Sequence, residues 1–130
     1  MTVEPLSGIT FDAGALIAFE RADRRVVAIV ARALERREHV AVPAGVVGQV
    51  WRDGRKQARL ARLLASPIVQ VVPLDDRNAR VAGQICGVAG TADVIDASVV
   101  ACARVHGHAV MTSDARDLRR LDPALRFVET

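Results

Sequence analysis

Short apolar runs alternate along this chain with longer stretches in which apolar residues recur every three or four positions. The short runs predict buried strands at residues 9–12, 40–42, 68–72, 109–112 and 125–128. The longer stretches predict helices, so the expected element order is β-α-α-β-α-α-β-α-α-β-α-β. This alternation indicates an α/β fold in which helices cover both faces of a parallel sheet of four to five strands. We expect residues 1–130 to form a single domain with a sizeable core.

Two of the helical stretches predict which side chains are buried. Residues 13–20 should bury one face, formed by Ala15, Leu16 and Phe19. Residues 75–88 carry valine and isoleucine at i, i+4 and i+7, the spacing of a core-facing stripe. That spacing predicts that Val81, Ile85 and Val88 point inward.

The stretch from residue 93 to residue 103 begins with two acids and then becomes apolar on nearly every side. Asp93 and Asp96 are three positions apart, so they share one face of the predicted helix. An acidic first turn on a buried helix must open onto a cleft or a cation, because burying an unpaired carboxylate is costly. The alternative is ordinary capping, with Asp93 as the N-cap and Asp96 at the N3 position.

Further acids follow directly on predicted strands. Asp12 ends the first strand, and Asp114 follows the fourth strand with Asp117 three positions later. The carboxyl ends of parallel strands meet at one edge of the sheet, where ligands of open α/β sheets bind. Capping explains each acid singly but does not explain their shared edge. Clustered carboxylates repel one another, and a hard cation such as Mg²⁺ or Mn²⁺ relieves that repulsion and suits phosphodiester hydrolysis.

Positive charge in this chain comes almost entirely from arginine. The formal net charge is +3, and one lysine stands among the 18 Lys and Arg residues. Five basic residues would form one stripe if a helix continued through Gly54: Arg52, Arg55, Lys56, Arg59 and Arg62. We interpret this stripe as a surface that binds RNA through its phosphates, because the chain has no tyrosine and few other aromatic residues for base stacking. A solvated helix face or a dock for an acidic partner remains the alternative.

Several classes of protein are disfavoured by the sequence. No apolar run reaches the length of about 18 residues that a membrane span needs, and residues 1–7 lack the features of a signal peptide, so we expect a cytoplasmic protein without a membrane partner. Cys86 and Cys102 are isolated and are predicted to be small core residues. His106 and His108 are interpreted as charges at the end of a helix, with Gly107 as its C-terminal cap.

Three segments together resemble the PIN-domain family, most of all the toxin ribonucleases of VapBC toxin–antitoxin pairs. The D-x-[ST]-A-L pattern of the family corresponds to residues 12–16, its D-A-x-[IV]-A-A-x-A helix to residues 96–103, and its T-x-[DN]-x-x-D-[FL] segment to residues 112–118. The order and spacing of the three are more specific than any one of them. The resemblance implies a three-layer PIN-like α/β/α sandwich over almost the whole chain.

The resemblance also implies a function and a set of site residues. It implies a Mg²⁺- or Mn²⁺-dependent endoribonuclease, the toxin of a type II toxin–antitoxin pair, in which water attacks a backbone phosphate and leaves a 5′-phosphate. Partners would be RNA, a small cognate antitoxin and a second copy of the chain in a homodimer. The implied metal ligands are Asp12, Asp96 and Asp114, with Asp93 as a further catalytic residue and with Gln49, Ser113 and Asp117 beside them.

Two positions depart from the family pattern. Gly14 stands where the family has a hydroxyl residue, which removes one hydrogen bond to Asp12 or to the substrate. Gln49 stands where the family usually has a glutamate, and a carboxamide carries no charge and cannot act as a general base. This departure keeps a second interpretation open, a catalytically weakened PIN-like module that binds RNA or protein. A phospho-receiver-like signalling domain is disfavoured because it needs a lysine after its last core strand, and Lys56 lies elsewhere.

Overall fold

The computed structural model of this protein describes residues 8–130. Its strands are β1 (Gly8–Phe11), β2 (His39–Pro43), β3 (Val69–Val72), β4 (Ala109–Thr112) and β5 (Phe127–Glu129). Its helices are α1 (Ala13–Glu20), α2 (Arg24–Glu35), α3 (Ala44–Val50), α4 (Ala58–Ala65), α5 (Asp76–Ala89), α6 (Val94–His106) and α7 (Arg116–Leu121). The segment 1–7, for which the sequence predicts no signal peptide, lies outside the described residues.

All five strands form one parallel sheet in the order β3-β2-β1-β4-β5. The register sets Thr10 of β1 between Ala41 of β2 and Val110 of β4. Helices cover the sheet, which confirms the predicted α/β/α sandwich. The order places β1 and β4 side by side, so the acids that follow these two strands leave the sheet next to each other.

The core follows from strands that are apolar on both faces. Every residue of β1 and β4 is buried, including Phe11 and Met111 at no exposure. Such continuous burial is typical of central strands in a parallel sheet. The predicted inner face of α1 is confirmed, because Ala15, Leu16 and Phe19 are all buried.

The predicted inner face of α5 is wrong in two of its three residues. Ile85 is buried, but Val81 is 37% exposed and Val88 is 93% exposed. The buried face is instead formed by Ala82, Ile85 and Cys86. α5 packs closely on α6, and this contact is made through the smaller side chains. Both cysteines are buried and free, as predicted.

The basic stretch after α3 is not one helix, so the predicted continuous stripe is wrong. α3 ends at Val50, a series of turns follows, and α4 begins only at Ala58. The buried Gln57 holds these turns together: its side-chain oxygen accepts from the backbone N–H groups of Arg52 and Asp53, and its side-chain nitrogen donates to the Val50 carbonyl. Each polar atom of the buried Gln57 amide has a partner, as buried polar groups require, and these contacts hold the chain in turns between α3 and α4.

No single helix within residues 8–130 is long and apolar enough to cross a membrane. α5 and α6 pass a test of length and composition only as a pair that is bent by 109°.

Candidate functional site

Asp12 lies at the carboxyl end of β1 and caps α1. Its Oδ1 accepts a hydrogen bond from the Ala15 N–H at 2.8 Å, which confirms the N-cap geometry. Its Oδ2 accepts a short hydrogen bond from the Thr112 hydroxyl. Both carboxylate oxygens therefore have a donor, and the Asp12 side chain is held in one orientation.

Thr112 connects Asp12 to the next acid along the edge. Its buried hydroxyl donates to Asp12 and accepts from the Asp114 N–H at 3.1 Å. Asp114 in turn contacts Arg116, whose N–H donates to Asp114 Oδ1 and whose guanidinium lies 3.5 Å from Oδ2. The sequence analysis gave Thr112 no role of its own, although the family pattern T-x-[DN] includes it.

Asp93 and Asp96 begin α6 beside this pair. The Asp93 carboxylate accepts from the Asp96 N–H at 3.0 Å, so Asp93 is the N-cap, as the capping interpretation predicts. Capping and site formation are compatible here, because the same turn directs both side chains toward the edge where Asp12 lies.

The electrostatics show that the acids lie close together. The pKa of Asp96 is raised to about 6, first by burial and then by the negative charges of Asp93, Asp12 and Asp117. The pKa of Asp12 is also raised, mainly by burial and further by Asp114, against hydrogen bonds that favour its charged form. Asp96 and Asp12 thus act by charge on each other and on the three remaining acids of this edge. The role of these acids as one shared site stays a prediction.

A cleft of about 260 Å³ opens over part of this cluster. It is lined by residues that end α5, begin α6 and belong to α7: Ala89, Gly90, Thr91, Asp93, Asp96, Asp117, Arg120 and Leu121. Arg120 is the one basic side chain of this lining. The cleft gives a substrate access to Asp96 from solvent.

The donor set fits Mg²⁺ or Mn²⁺, since these ions prefer carboxylate oxygens and carry the charge that the cluster lacks. Within residues 8–130, no three His, Cys, Asp or Glu side chains already enclose a common metal position. Mg²⁺ does not require such a cage, because it keeps several waters and binds proteins through one or two carboxylates. The residues that could hold it are Asp12, Asp96 and Asp114.

Gly14 and Ser113 meet at the rim of the site. A Cβ atom added at Gly14 would lie 2.2 Å from the Ser113 Oγ and 3.7 Å from Asp12 Oδ1. The Ser113 hydroxyl therefore occupies the space of a side chain at position 14. Ser113 is exposed, and no other described residue forms a hydrogen bond with its hydroxyl.

Gln49 lies in the last turn of α3 and is exposed. α3 starts where β2 ends, at the same edge as the acids, and Gly45 of α3 lies against the Ile95 side chain of α6. The structure shows no hydrogen bond between Gln49 and the five acids of the edge. Its predicted place beside the metal ligands stays a prediction.

The five basic residues of the predicted RNA-binding stripe divide into two groups. The Arg52 guanidinium donates to the backbone carbonyls of Gly48 and Trp51, and Arg55 lies 3.7 Å from Asp53. The remaining three are exposed and form no ion pair among the described residues: Lys56, Arg59 and Arg62. All five residues are exposed, and among the described residues only the side chains of this second group contact neither a backbone carbonyl nor a carboxylate.

A histidine cluster that the sequence does not predict lies at the opposite edge of the sheet, where the strands begin. His39 starts β2 and His108 immediately precedes β4, and their rings lie 5.0 Å apart, centroid to centroid. His106 completes a triangle, at 5.1 Å from each of the other two. Gly107 is the left-handed cap of α6, as predicted, but His108 is buried and its pKa is lowered to about 4, so its interpretation as a helix-end charge is wrong. The sheet order brings these histidines together, and no local pattern indicates it.

Comparisons with known proteins agree with this architecture. The structure is similar to FitAcB from Neisseria gonorrhoeae, with a TM-score of 0.64 and 22% identity over 93% of this chain and 96% of that chain. It is also similar to VapBC2 from Rickettsia felis bound to a DNA fragment from their promoter, with a TM-score of 0.68 and 11% identity over 94% and 98%. A toxin–antitoxin complex from Klebsiella pneumoniae gives a TM-score of 0.63 and 19% identity over 85% and 89%.

Sequence comparison with curated proteins gives no match. The family model described as PIN domain matches residues 9–123, which include every acid of the candidate site. The chain therefore belongs to the PIN domain family.

Proposed function

We propose that this protein is a metal-dependent endoribonuclease and the toxin of a type II toxin–antitoxin pair. The observation that carries the proposal is the position of Asp96 in the lining of an open cleft. Its pKa is raised first by burial and then by three neighbouring carboxylates. A fold gains nothing from such uncompensated repulsion, whereas a site for a divalent cation requires it.

The side chains at the carboxyl edge have different proposed roles. Asp12, Asp96 and Asp114 would hold the cation, which supplies charge neutralisation and activation of water for attack on a phosphate. Thr112 keeps Asp12 oriented, and the Asp93 carboxylate fixes the start of α6 and with it the position of Asp96. Asp117 adds negative charge on the far side of the cleft.

Exposed basic side chains would bind the RNA backbone and bring it to the carboxyl edge. Lys56, Arg59 and Arg62 offer exposed charges for the phosphate backbone, and Arg120 lies in the lining of the cleft itself. With no tyrosine in the chain, grip on the backbone rather than stacking of bases is the mode that the composition supports.

The partners are proposed from the family and from structural neighbours. The similar structures include one described as a toxin–antitoxin complex and others of FitAB and VapBC2 bound to DNA. We propose a small antitoxin as the partner of this chain, and a homodimer as its own assembly. The DNA in those structures is bound by those proteins. For this chain we propose that the acids act on RNA.

A second candidate function rests on Gln49. An exposed carboxamide in place of the family's glutamate leaves the edge one anion short, so the chain could bind RNA or protein without turnover. The experiment that decides is cleavage of total cellular RNA with and without Mg²⁺, with the Asp96→Asn variant as the blank. Mg²⁺-dependent cleavage that Asp96→Asn abolishes supports the nuclease. Metal and RNA binding without cleavage supports the binding module.

A further inference from the structure

The family pattern places a hydroxyl two residues after Asp12, and this chain has Gly14 there. The loop after β4 brings a different hydroxyl to the same place, because the Ser113 Oγ lies 2.2 Å from the position of a Gly14 Cβ. A Cβ at position 14 would overlap the Ser113 hydroxyl, so this hydroxyl occupies the space directly over Gly14. The neighbouring loop therefore presents a hydroxyl where α1 has no side chain.

The other contacts of the site show what this hydroxyl is free to do. Asp12 already receives one hydrogen bond at each carboxylate oxygen, from Ala15 N–H and from Thr112 Oγ1. The Asp114 N–H donates a hydrogen bond to Thr112 Oγ1, and the Asp114 carboxylate contacts Arg116. No described group uses the exposed Ser113 hydroxyl, so it is not needed to orient the acids.

We propose that Ser113 is a substrate-binding residue that replaces the family's hydroxyl at position 14 and donates a hydrogen bond to a phosphate oxygen of RNA beside Asp12. This inference rests on the proposed function and adds a residue to it. Gly14 leaves room for this orientation of the Ser113 hydroxyl, since a Cβ at position 14 would force the hydroxyl to rotate away.

The test exchanges the hydroxyl between the two positions. Ser113→Ala should lower kcat/KM for RNA cleavage about tenfold, the usual size for losing one hydrogen bond to a charged group. Its melting temperature and its stabilisation by Mn²⁺ should not change. Gly14→Ser alone should lower both melting temperature and activity, because its side chain meets the Ser113 oxygen.

The double variant carrying Gly14→Ser and Ser113→Ala should recover melting temperature and cleavage together. The matched control carries Gly14→Ala and Ser113→Ala, which fills the same space without a hydroxyl and should recover melting temperature only. Ser66→Ala, in the turn after α4, should leave cleavage unchanged. Equal cleavage by the two double variants would overturn the inference, as would full activity of Ser113→Ala.

Binding separates this inference from the proposed nuclease. Affinity for a short RNA is measured in Ca²⁺ for the same variants. If the parent does not cleave but Ser113→Ala weakens binding and the serine double variant restores it, the nuclease proposal fails and the role of Ser113 stands. If binding is insensitive to the hydroxyl at both positions, the role of Ser113 fails whatever the parent cleaves.

Discussion

The two edges of the sheet carry clusters of opposite chemistry. At the carboxyl edge, burial and neighbouring acids raise the pKa of Asp96 to about 6, and the pKa of Asp12 is raised as well. At the amino edge, burial and the neighbouring His39 and His106 lower the pKa of His108 to about 4. Like groups crowd together in both places, and in both places burial and like neighbours favour the neutral form of a buried group, Asp96 at one edge and His108 at the other.

At the amino edge, a chain of hydrogen bonds runs through the rings of His39 and His108. Gln70 Oε1 can only accept, so the His39 Nε2 donates to it at 2.9 Å, and His39 Nδ1 is left to accept from His108 Nε2 at 3.1 Å. The His108 Nδ1 then accepts from the buried Thr10 hydroxyl at 2.9 Å. Gly8 makes room, because a Cβ there would lie 2.6 Å from His108 Nε2.

The comparison shows how the same fold treats a structural cluster and a candidate functional cluster. Each imidazole of the chain from Thr10 to Gln70 satisfies the next one, and His108 is almost completely buried. At the other edge Asp114 is paired with Arg116, but the pKa of Asp96 is raised by burial and by its acidic neighbours with no positive group acting against them. A cluster that is satisfied internally is typical of structure, and one with an unpaired carboxylate among other acids indicates an external ligand.

The largest expected effect is stabilisation by a divalent cation at the carboxyl edge. At 100 times its dissociation constant, a cation that binds only the folded state adds about 2.7 kcal/mol to the free energy of unfolding. We expect Mn²⁺ to raise the melting temperature of the parent and to leave Asp96→Asn nearly unchanged. An equal shift in both proteins, or none in the parent, would remove the distinction between the two edges.

Acid should destabilise the protein through the amino edge. The pKa of His108 in the folded state is below its ordinary value of 6.5, so the stability contributed by the neutral ring is present above pH 6.5 and is lost as pH falls toward 4. We expect His108 to cost about 2 kcal/mol between pH 7 and 4.5, measured by urea unfolding of the Asp96→Asn variant, in which the opposite titration of Asp96 is absent. His39→Gln removes one positive neighbour of His108 and should flatten this dependence. A steeper slope in the variant would contradict the explanation.

The carboxyl edge should respond to pH in the opposite sense. The folded pKa of Asp96, about 6, is above the ordinary 3.8, so its contribution is fully present below pH 3.8 and is lost as pH rises through 6. Without metal, Asp96→Asn should therefore be more stable than the parent at pH 7.5, by about 1 kcal/mol after solvent screening. The difference should shrink at pH 4.5 and vanish below pH 3.8, and added Mn²⁺ at pH 7.5 should reverse it. Equal stability of the two metal-free proteins at both pH values would contradict the repulsion.

The sequence predicts the acidic edge far better than the histidine edge. Asp12 and Asp114 follow strands that local patterns reveal, and the rule for parallel sheets then brings them together. His39 begins β2 and His108 precedes β4, and these strands are neighbours of β1 only in the folded sheet order, which no local periodicity shows. The prediction for Val81 and Val88 also failed, because the face of α5 that is buried contains Ala82, Ile85 and Cys86.

A smaller effect should separate the two groups of basic residues. Replacing Arg59 and Arg62 by glutamine removes two exposed charges, and the salt dependence of RNA affinity should flatten by about 1.4 in slope. Arg52→Gln should change the slope less, because the Arg52 guanidinium contacts the end of α3. The control is the double glutamine variant of Arg24 and Arg25, two exposed arginines at the start of α2. Equal slopes for this control and the α4 variant would assign Arg59 and Arg62 to solvent or to the antitoxin.

The smallest effect, and the one that tests the carboxyl edge most directly, is expected from Gln49→Glu. The variant adds one anion to α3, which starts at the acidic edge, and a carboxylate can accept a proton from water where a carboxamide cannot. Because Gln49 is exposed, screening limits the gain in Mn²⁺ affinity to a few-fold, and cleavage should rise with it. Gln84→Glu makes the same charge change on an exposed position of α5 and should alter neither quantity. Strong cleavage by the parent with less by Gln49→Glu would mean that the carboxamide suits this site. Equal responses of the two variants would mean that position 49 lies too far from the cation to affect its binding. Mn²⁺ affinity would then depend on the acids of the carboxyl edge and not on residue 49.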